Sequence, residues 1–158
     1  LVCGITPSSA ATTRMTMSLP DSLRGVARDL ATLDARRPRQ ASLRRSVSTV
    51  YYAAFHLLVD AAVRRVCASR TPAGDLAALI GPAPLSAPAQ LVCRTLIDAQ
   101  EARESADYDI AQRFRRSTVT LLLDQVDRAF AAWDGLRTGA EGQGITMALI
   151  LHARGRAR

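Results

Sequence analysis

Hydrophobic residues recur at helical spacing along most of the chain, and proline marks the boundaries between the stretches. The first stripe consists of Leu19, Leu23, Val26, Leu30 and Leu33. It predicts a helix that starts near Ser18 and ends at Arg36-Arg37-Pro38. The second stretch contains no proline and predicts one long helix over about 40–68. Its broad apolar face consists of Leu43, Val47, Val50, Ala54, Leu57, Ala61 and Val66.

Two further helices are predicted after a break. Residues 69–89 are rich in proline, glycine and alanine, which is typical of turns, with room for one or two helical turns over 75–80. A third helix is predicted over about 88–106 and a fourth over about 110–133. The fourth has the clearest period in the chain, formed by Val119, Leu122, Leu123, Val126, Phe130 and Trp133.

Both ends of the chain differ from this pattern. Residues 1–18 show no helical period, and we predict a disordered leader. After the fourth helix come Gly135, Gly139, Gly142 and Gly144, so 135–158 is predicted to be a glycine-rich linker with a short apolar piece and a basic tail. The pattern therefore predicts an all-α protein, an up-and-down bundle of four to five helices over 19–134.

The net charge of +7 does not by itself indicate a nucleic-acid partner. All 21 basic residues are arginine, and the chain has no lysine or asparagine, which is what a GC-rich coding sequence produces. Residues 19–134 carry only +3 of the total, and the rest lies in the leader and the tail. Much of the remaining charge is expected to be cancelled inside the fold or across a dimer.

Several classes of protein are disfavoured by the residues themselves. Uninterrupted apolar runs are too short for a membrane span, so we expect no membrane association. Three widely spaced cysteines favour a reducing cytoplasm over a disulfide framework. With two histidines and no glycine-rich phosphate loop, we expect no metal and no cofactor. Glu101 and Glu104 lack the companion Glu-x-x-His of a di-iron bundle.

Two blocks of residues indicate a family. The long second helix carries Tyr51-Tyr52-Ala53-Ala54-Phe55-His56, preceded by Arg44-Arg45-Ser46, and some fifty residues later comes Arg103-Glu104-Ser105-Ala106-Asp107-Tyr108. In content, order and separation these blocks resemble the HEPN superfamily, in its branch of small single-domain bacterial proteins. Residues 69–89 depart from that branch, since they lack its further His and Phe.

The resemblance implies a helical bundle, commonly a homodimer, that acts in toxin–antitoxin, defence or RNA-processing systems. Many members are metal-independent ribonucleases, in which an Arg stabilises the phosphorane and a following His moves a proton. Some members pair with a minimal nucleotidyltransferase that serves as the antitoxin.

At the signature position this chain differs from those ribonucleases. After Arg103 and four intervening residues stands Tyr108 instead of His, and a tyrosine is a poor base at neutral pH. We therefore expect a candidate site of Arg103, Tyr108 and His56, with His56 as the acid/base. Arg45, Tyr52 and Asp107 are expected to contact RNA or a nucleotide. Arg45, Thr49, Tyr52 and His56 share one stripe of the second helix.

Other interpretations stay open at this point. His56, Tyr51 and Tyr52 can be packing residues, the Arg103–Asp107 pair can be an exposed salt bridge, and Arg113, Arg115 and Arg116 can be a solvated face or an RNA contact. The alternative function is a non-catalytic dimerisation or interaction module, for example a partner of a nucleotidyltransferase. A third is a nucleotide-binding accessory domain.

Overall fold

The structure is a computed structural model that describes residues 17–34, 36–68 and 85–155, with side chains through 64 in the second range and through 150 in the third. The described residues form five helices and no strand. These are α1 (Leu19–Thr32), α2 (Gln40–Ala68), α3 (Ala87–Tyr108), α4 (Arg116–Leu136) and α5 (Ala140–Gly155). The predicted all-α bundle of four to five helices is confirmed. The predicted leader falls mostly on residues 1–16, and most of the 69–89 break and the end of the basic tail also lie outside the described residues.

The long helix α2 is the centre of the bundle. It contacts each of the other four helices, and Leu43, Val47, Val50 and Ala54 of its apolar face are buried as predicted. Around it, Val119, Leu123, Val126 and Phe130 of α4 complete the larger part of the core. Since α2 and α3 run antiparallel, residues 44–51 of α2 lie opposite residues 103–112, which are the end of α3 and the loop after it.

Serine caps define two helix starts. The hydroxyl oxygen of Ser18 accepts a hydrogen bond from the Asp21 amide of α1, and Ser86 accepts one from the Ala89 amide of α3. Each cap satisfies a donor that the helix itself leaves unpaired. The predicted start of α1 and the bounds of α2 agree with the structure.

The apolar stripe predicted for α1 is buried only in part, with Leu23 packed against the core. Leu19, Val26 and Leu33 are exposed, and the buried residues of the helix are Pro20, Ala27 and Ala31. The small alanines let α1 approach α2 closely, and the buried Ser46 hydroxyl donates to the Ala27 carbonyl at 2.6 Å. Close backbone approach therefore decides which face is buried, although the neighbouring face has the larger side chains.

The predicted start of α4 is also wrong, because residues 110–115 are not helical. The Asp109 carboxylate accepts hydrogen bonds from the amides of Ala111 and Gln112 and forms a turn. Phe114 then exchanges two hydrogen bonds of 2.9 Å with the side-chain amide of Gln40. These contacts hold the segment in an extended conformation until α4 begins at Arg116.

The prediction of a linker and tail over 135–158 is wrong for residues 140–155, which form α5. Ile145 and Met147 are buried, and Ile145 packs with Trp133 of α4 and Leu58 of α2. Gly142 makes the tight turn from α4 feasible, since a Cβ atom at this position would lie 2.8 Å from the Leu136 carbonyl carbon. The Glu141 carboxylate accepts hydrogen bonds from the Ser86 amide at 2.7 Å and its hydroxyl at 2.6 Å. Helix α5 thus extends the bundle beyond residue 134.

Within the described part of the chain, one segment is long and apolar enough to cross a membrane, the 25 residues Gln40–Arg64 of α2. The expectation that no such segment exists rested on uninterrupted apolar runs and missed this one. A core helix of a soluble protein passes the same test, and α2 packs against four helices of this bundle. The segment is weak evidence for a membrane span.

Candidate functional site

Two arginines occupy the α2–α3 interface, and the first of them closes a loop. The Arg44 guanidinium donates hydrogen bonds to four backbone carbonyls, those of Ala106, Asp109, Ile110 and Gln112, at 2.6 to 3.2 Å. It also lies 5.7 Å from the centre of the Phe114 ring. Carbonyls at a helix end have no partner in the helix, so Arg44 caps α3 and fixes the loop that follows Tyr108.

The second arginine, Arg103 of α3, lies between aromatic rings. Its guanidinium carbon is 5.3 Å from the ring centre of Tyr51 and 6.0 Å from that of Tyr108. Both distances fall within the range of cation–π attraction. Tyr51 in turn makes an edge contact with Tyr52 at 5.2 Å. The result is one cation within a cluster of three tyrosines, which we call the Arg103 cluster.

Asp107 fixes the orientation of Arg103. One carboxylate oxygen accepts a hydrogen bond from Arg103 Nη1 at 3.3 Å, and the other accepts one from the buried Ser48 hydroxyl at 2.5 Å. The chain Ser48–Asp107–Arg103 therefore links α2 to the guanidinium. Asp107 lies one helical turn after Arg103, as the i, i+4 spacing predicts. An anionic carboxylate repels phosphate, so Asp107 acts here as a positioning residue.

The hydrogen-bonding capacity of Arg103 is not fully used. Its side chain is 19% exposed, and the Glu104 carboxylate lies 4.0 Å from Nη2, too far for a hydrogen bond. Its Nε is buried without a hydrogen-bond partner, an arrangement that costs free energy. Burial lowers the pKa of the guanidinium, but the Tyr108 hydroxyl together with Tyr52 and Asp107 outweighs it and holds the pKa above its ordinary value.

The tyrosines of the cluster supply hydroxyl groups beside the cation. Burial raises the pKa of Tyr51, and the opposing effect of the Arg103 charge is smaller. Tyr51 is therefore protonated at neutral pH and cannot serve as a base there. Tyr108 is the most accessible ring, with 75% of its surface exposed. An exposed ring beside a cation can stack on a nucleobase while the cation binds a phosphate.

A shallow open depression adjoins the cluster on the outer side of α3. It is lined by Arg103, Glu104, Ser105, Tyr108 and Asp109. Arg103 lines this depression, so a ligand bound there would lie beside its side chain. The lining carries one cation and two carboxylates, so an anion would gain its affinity mainly from Arg103.

The structure brings together only part of the predicted site. Arg103, Tyr108, Asp107 and Tyr52 belong to one cluster. Among the described residues His56 makes no hydrogen bond or ion pair, and its ring contacts Phe55 at 5.7 Å. Arg45 is exposed on α2, and its side chain has no partner in the described part of the chain. Neither His56 nor Arg45 contacts Arg103.

The stripe predicted on α2 is offset by one residue from the stripe that faces α3. Arg44, Ser48 and Tyr51 face α3, whereas the predicted stripe contained Arg45, Thr49, Tyr52 and His56. Successive residues of a helix are rotated by about 100°. The predicted stripe follows the buried positions 43, 47, 50 and 54 by two residues, which puts it about 200° from the core. The buried stripe itself thus contained the signal that would have identified Arg44, Ser48 and Tyr51.

Metal ligands and known relatives add no further constraint on the site. In residues 17–34, 36–68 and 85–155, no group of three or more His, Cys, Asp or Glu side chains could hold a metal ion. Searches for similar proteins found no family model, curated protein or solved structure that matches the chain.

Proposed function

We propose that this protein is a HEPN-like domain of an RNA-linked system, of the toxin–antitoxin or defence type, whose Arg103 cluster binds a phosphate group of RNA or of a nucleotide. The observation that carries the proposal is the incompletely satisfied Arg103 guanidinium between Tyr51 and the exposed ring of Tyr108. The order of the two sequence blocks supports the same conclusion. The proposed location is the cytoplasm.

The chemistry of the cluster suits a phosphate and an adjoining base. A guanidinium presents several N–H donors in one plane and matches the oxygens of a phosphate. The hydroxyl of Tyr108 can donate a further hydrogen bond to a phosphate oxygen, and its ring can stack on a base. Ser48 and Asp107 hold the guanidinium in place before the ligand arrives, which lowers the entropy lost on binding.

Binding is supported better than cleavage. Cleavage through the 2′-hydroxyl requires a group that accepts a proton near neutral pH, and the signature position, four intervening residues after Arg103, holds Tyr108. Within the described part of the chain the imidazole of His56 has no hydrogen bond, ion pair or direct ring contact with the cluster, and reaches Tyr51 only through the Phe55 ring. A ribonuclease activity would therefore need His56 of a second copy.

The experiment compares Arg103→Gln with Arg94→Gln, which removes an exposed arginine from the same helix. A fluorescently labelled single-stranded RNA is titrated with each protein at 0.1 M salt, and anisotropy is measured. Loss of a desolvated charge-assisted contact is worth about 1.5 to 3 kcal/mol, which corresponds to a decrease in affinity of roughly tenfold or more. Equal affinities of the two variants would contradict the proposal.

Cleavage is scored on the same samples through RNA products with 2′,3′-cyclic phosphate ends. The proposal expects intact RNA with the wild-type protein. If the wild-type protein cleaves RNA and both His56→Ala and Arg103→Gln abolish the cleavage, the protein is a ribonuclease with His56 as its base, and the proposal of binding alone is contradicted.

A second candidate function, a helical dimerisation or interaction module, is favoured by exposed apolar side chains on α2. Tyr52, Phe55 and Val63 are each more than a third exposed, and Ile97 of α3 is also exposed. Such residues favour a homodimer or a complex with a minimal nucleotidyltransferase.

The test of this module is the mass in solution, measured by light scattering. The expected wild-type mass is twice 17.0 kDa, and Phe55→Glu with Val63→Glu should restore the single-chain mass. Leu121→Glu, which alters an exposed leucine of α4, is the matched control. A wild-type monomer that also fails to bind a co-expressed nucleotidyltransferase would exclude this function.

A further inference from the structure

Five exposed arginines lie at one end of the bundle, where α1 leads into α2 and α3 leads into α4. We call this surface the basic end, and it consists of Arg36, Arg37, Arg39, Arg113 and Arg115. Arg39 pairs with Asp34 at 3.6 Å. The other four side chains make no hydrogen bond or ion pair with any described residue. Their charge is therefore not cancelled inside this part of the fold.

Long-range hydrogen bonds bring the two connections side by side. The Arg116 guanidinium donates a hydrogen bond of 3.0 Å to the carbonyl of Ala31 in the last turn of α1. It donates another to the carbonyl of Asp34, just after α1. The side-chain amide of Gln40, the first residue of α2, pairs with the backbone of Phe114. Residues 113–116 are consequently fixed next to residues 31–34 and the start of α2. Arginines that are more than seventy residues apart in sequence meet on one surface.

The local conformation directs two of these arginines outward. Residues 112–115 form no helix, and Arg115 has extended backbone angles of φ −98° and ψ 145°. Side chains alternate along an extended segment. Phe114 is buried at 7% exposure, so Arg113 and Arg115 on either side of it both point to solvent. The sequence Arg-Phe-Arg thus anchors one ring in the core and presents two cations.

Few carboxylates offset this charge. Asp34 is engaged by Arg39, and the Asp109 carboxylate accepts two backbone amides of its own turn. The first turns of α2 and α4, which both begin here, contain no acidic residue. Two helices start at this end and two finish at it, so the helix dipoles largely offset one another and the side chains set the charge. Repulsion among the arginines costs stability, and a polyanion bound here would relieve it.

We propose that the basic end binds the phosphate backbone of single-stranded RNA. The choice of RNA rests on the proposed function, while the surface is distinct from the Arg103 cluster. The two are joined by the loop that Arg44 fixes, which runs from the exposed Tyr108 ring to Arg113. A cationic track that follows a stacking ring is the usual arrangement for single-stranded nucleic acid. One strand can therefore stack a base on Tyr108 and continue across the basic end.

The experiment uses the full chain and a labelled 20-nucleotide oligouridine, titrated from 50 to 200 mM salt. The variant Arg113→Gln/Arg115→Gln is compared with Arg94→Gln/Arg128→Gln. The control removes the same charge from exposed positions of α3 and α4 that lie away from the basic end. Each phosphate contact to a single strand contributes about 0.7 to the slope of log affinity against log salt. We expect the first variant to lower that slope by about 1.4 and the affinity at 0.1 M salt by roughly 25-fold. Thermal melting checks that both variants remain folded.

Each result decides between the inference and the proposed function. Equal losses in the two double variants would overturn the basic end as a specific surface. A poly-glutamate peptide of the same length that binds as tightly as the RNA would overturn the assignment to RNA. If Arg103→Gln weakens binding while Arg113→Gln/Arg115→Gln behaves as the control, the proposed function stands and this inference fails. The reverse pattern would support RNA binding at the basic end and contradict phosphate binding at the Arg103 cluster.

Discussion

Arg44 and Arg103 lie in the same α2–α3 interface, and their guanidinium groups have very different surroundings. Arg44 donates to four backbone carbonyls and lies beside the Phe114 ring. Arg103 donates to the Asp107 carboxylate and interacts with the hydroxyls of Tyr108 and Tyr52. It lies beside two tyrosine rings and has a buried Nε without a partner. A saturated guanidinium stabilises the fold, whereas one with unused donors can bind an anion. The two sites therefore predict opposite responses to mutation.

The largest effect on stability is expected from Arg44→Ala. The substitution leaves the carbonyls of the α3–α4 loop without partners, and hydrogen bonds from charged groups are worth about 1.5 to 3 kcal/mol each without being additive. We expect a loss of about 3 kcal/mol, which lowers the Tm by roughly 6 to 12 °C. Arg44→Lys should not restore it, because an ammonium cannot span the carbonyls.

Thermal melting and amide hydrogen exchange over residues 109–114 measure this effect. The matched control is Arg45→Ala at the adjacent exposed position, which should change stability by less than about 0.5 kcal/mol. Equal effects of the two substitutions would show that Arg44 does not close the loop.

A smaller effect is expected at the opposite end of the bundle, where Ser86 and Glu141 join α3 to α5. Ser86→Ala removes an N-cap and a hydrogen bond to Glu141, and we expect a loss of about 1 kcal/mol. A urea titration measures this loss. Like Arg44, Glu141 is a charged group whose hydrogen bonds are made inside the fold. If Ser86→Ala left the free energy of unfolding unchanged, the contrast between such groups and Arg103 would be weakened.

The same contact predicts a dependence of stability on pH. Hydrogen bonds from the Ser86 hydroxyl and amide hold the pKa of Glu141 below its ordinary value. A lowered pKa in the folded state adds stability above the unfolded pKa of about 4.3, and this stability is lost as pH falls through the folded pKa. The Tm difference between wild type and Glu141→Gln should be largest near pH 6 and shrink in acid.

Glu101→Gln is the control for that pH series, since Glu101 is exposed and makes no hydrogen bond or ion pair with the described residues. Its Tm should follow the wild type at every pH. A Glu141→Gln difference that grows in acid would reverse the sign of the predicted linkage.

The smallest effect on stability is expected from Asp107→Asn in the Arg103 cluster. The asparagine retains an oxygen for the Ser48 hydroxyl and loses the ion pair with Arg103, which spans 3.3 Å between side chains that are 19% and 32% exposed. Exposed pairs of this kind contribute about 0.3 to 0.5 kcal/mol. Chemical denaturation that reveals a loss above about 2 kcal/mol would show that the cluster stabilises the fold as Arg44 does.

The fold was predictable where its signals are local. The buried stripe of α2, the absence of proline over 40–68 and the serine before α1 indicate the helices that the structure contains. The start of α4 depends instead on Arg44 and Gln40, whose partners lie 62 to 74 residues away. Glycine costs about 1 kcal/mol in a helix, and the packing of Ile145 and Met147 outweighs this penalty in α5.

The candidate site was predictable in part for a related reason. Arg103, Asp107 and Tyr108 are close in sequence and stand out as a block. Their partners on α2 depend on which face of α2 meets α3, and periodicity alone describes several parallel stripes. Ser48 and Tyr51 were missed because the neighbouring stripe contains the chemically more suggestive His56. The basic end was also not predictable from charges along the sequence, since it forms only when the end of α1 and the start of α2 pack beside residues 113–116.

The central claim is that Arg103 retains donors for a phosphate and that Arg44 does not. The most direct measurement is a ¹H–¹⁵N NMR titration of the arginine side chains with uridine 3′-monophosphate, with signals assigned through Arg103→Gln and Arg44→Lys. We predict that the guanidinium signals of Arg103 shift saturably while those of Arg44 stay in place. Stationary Arg103 signals, or equal shifts of both arginines, would contradict the account.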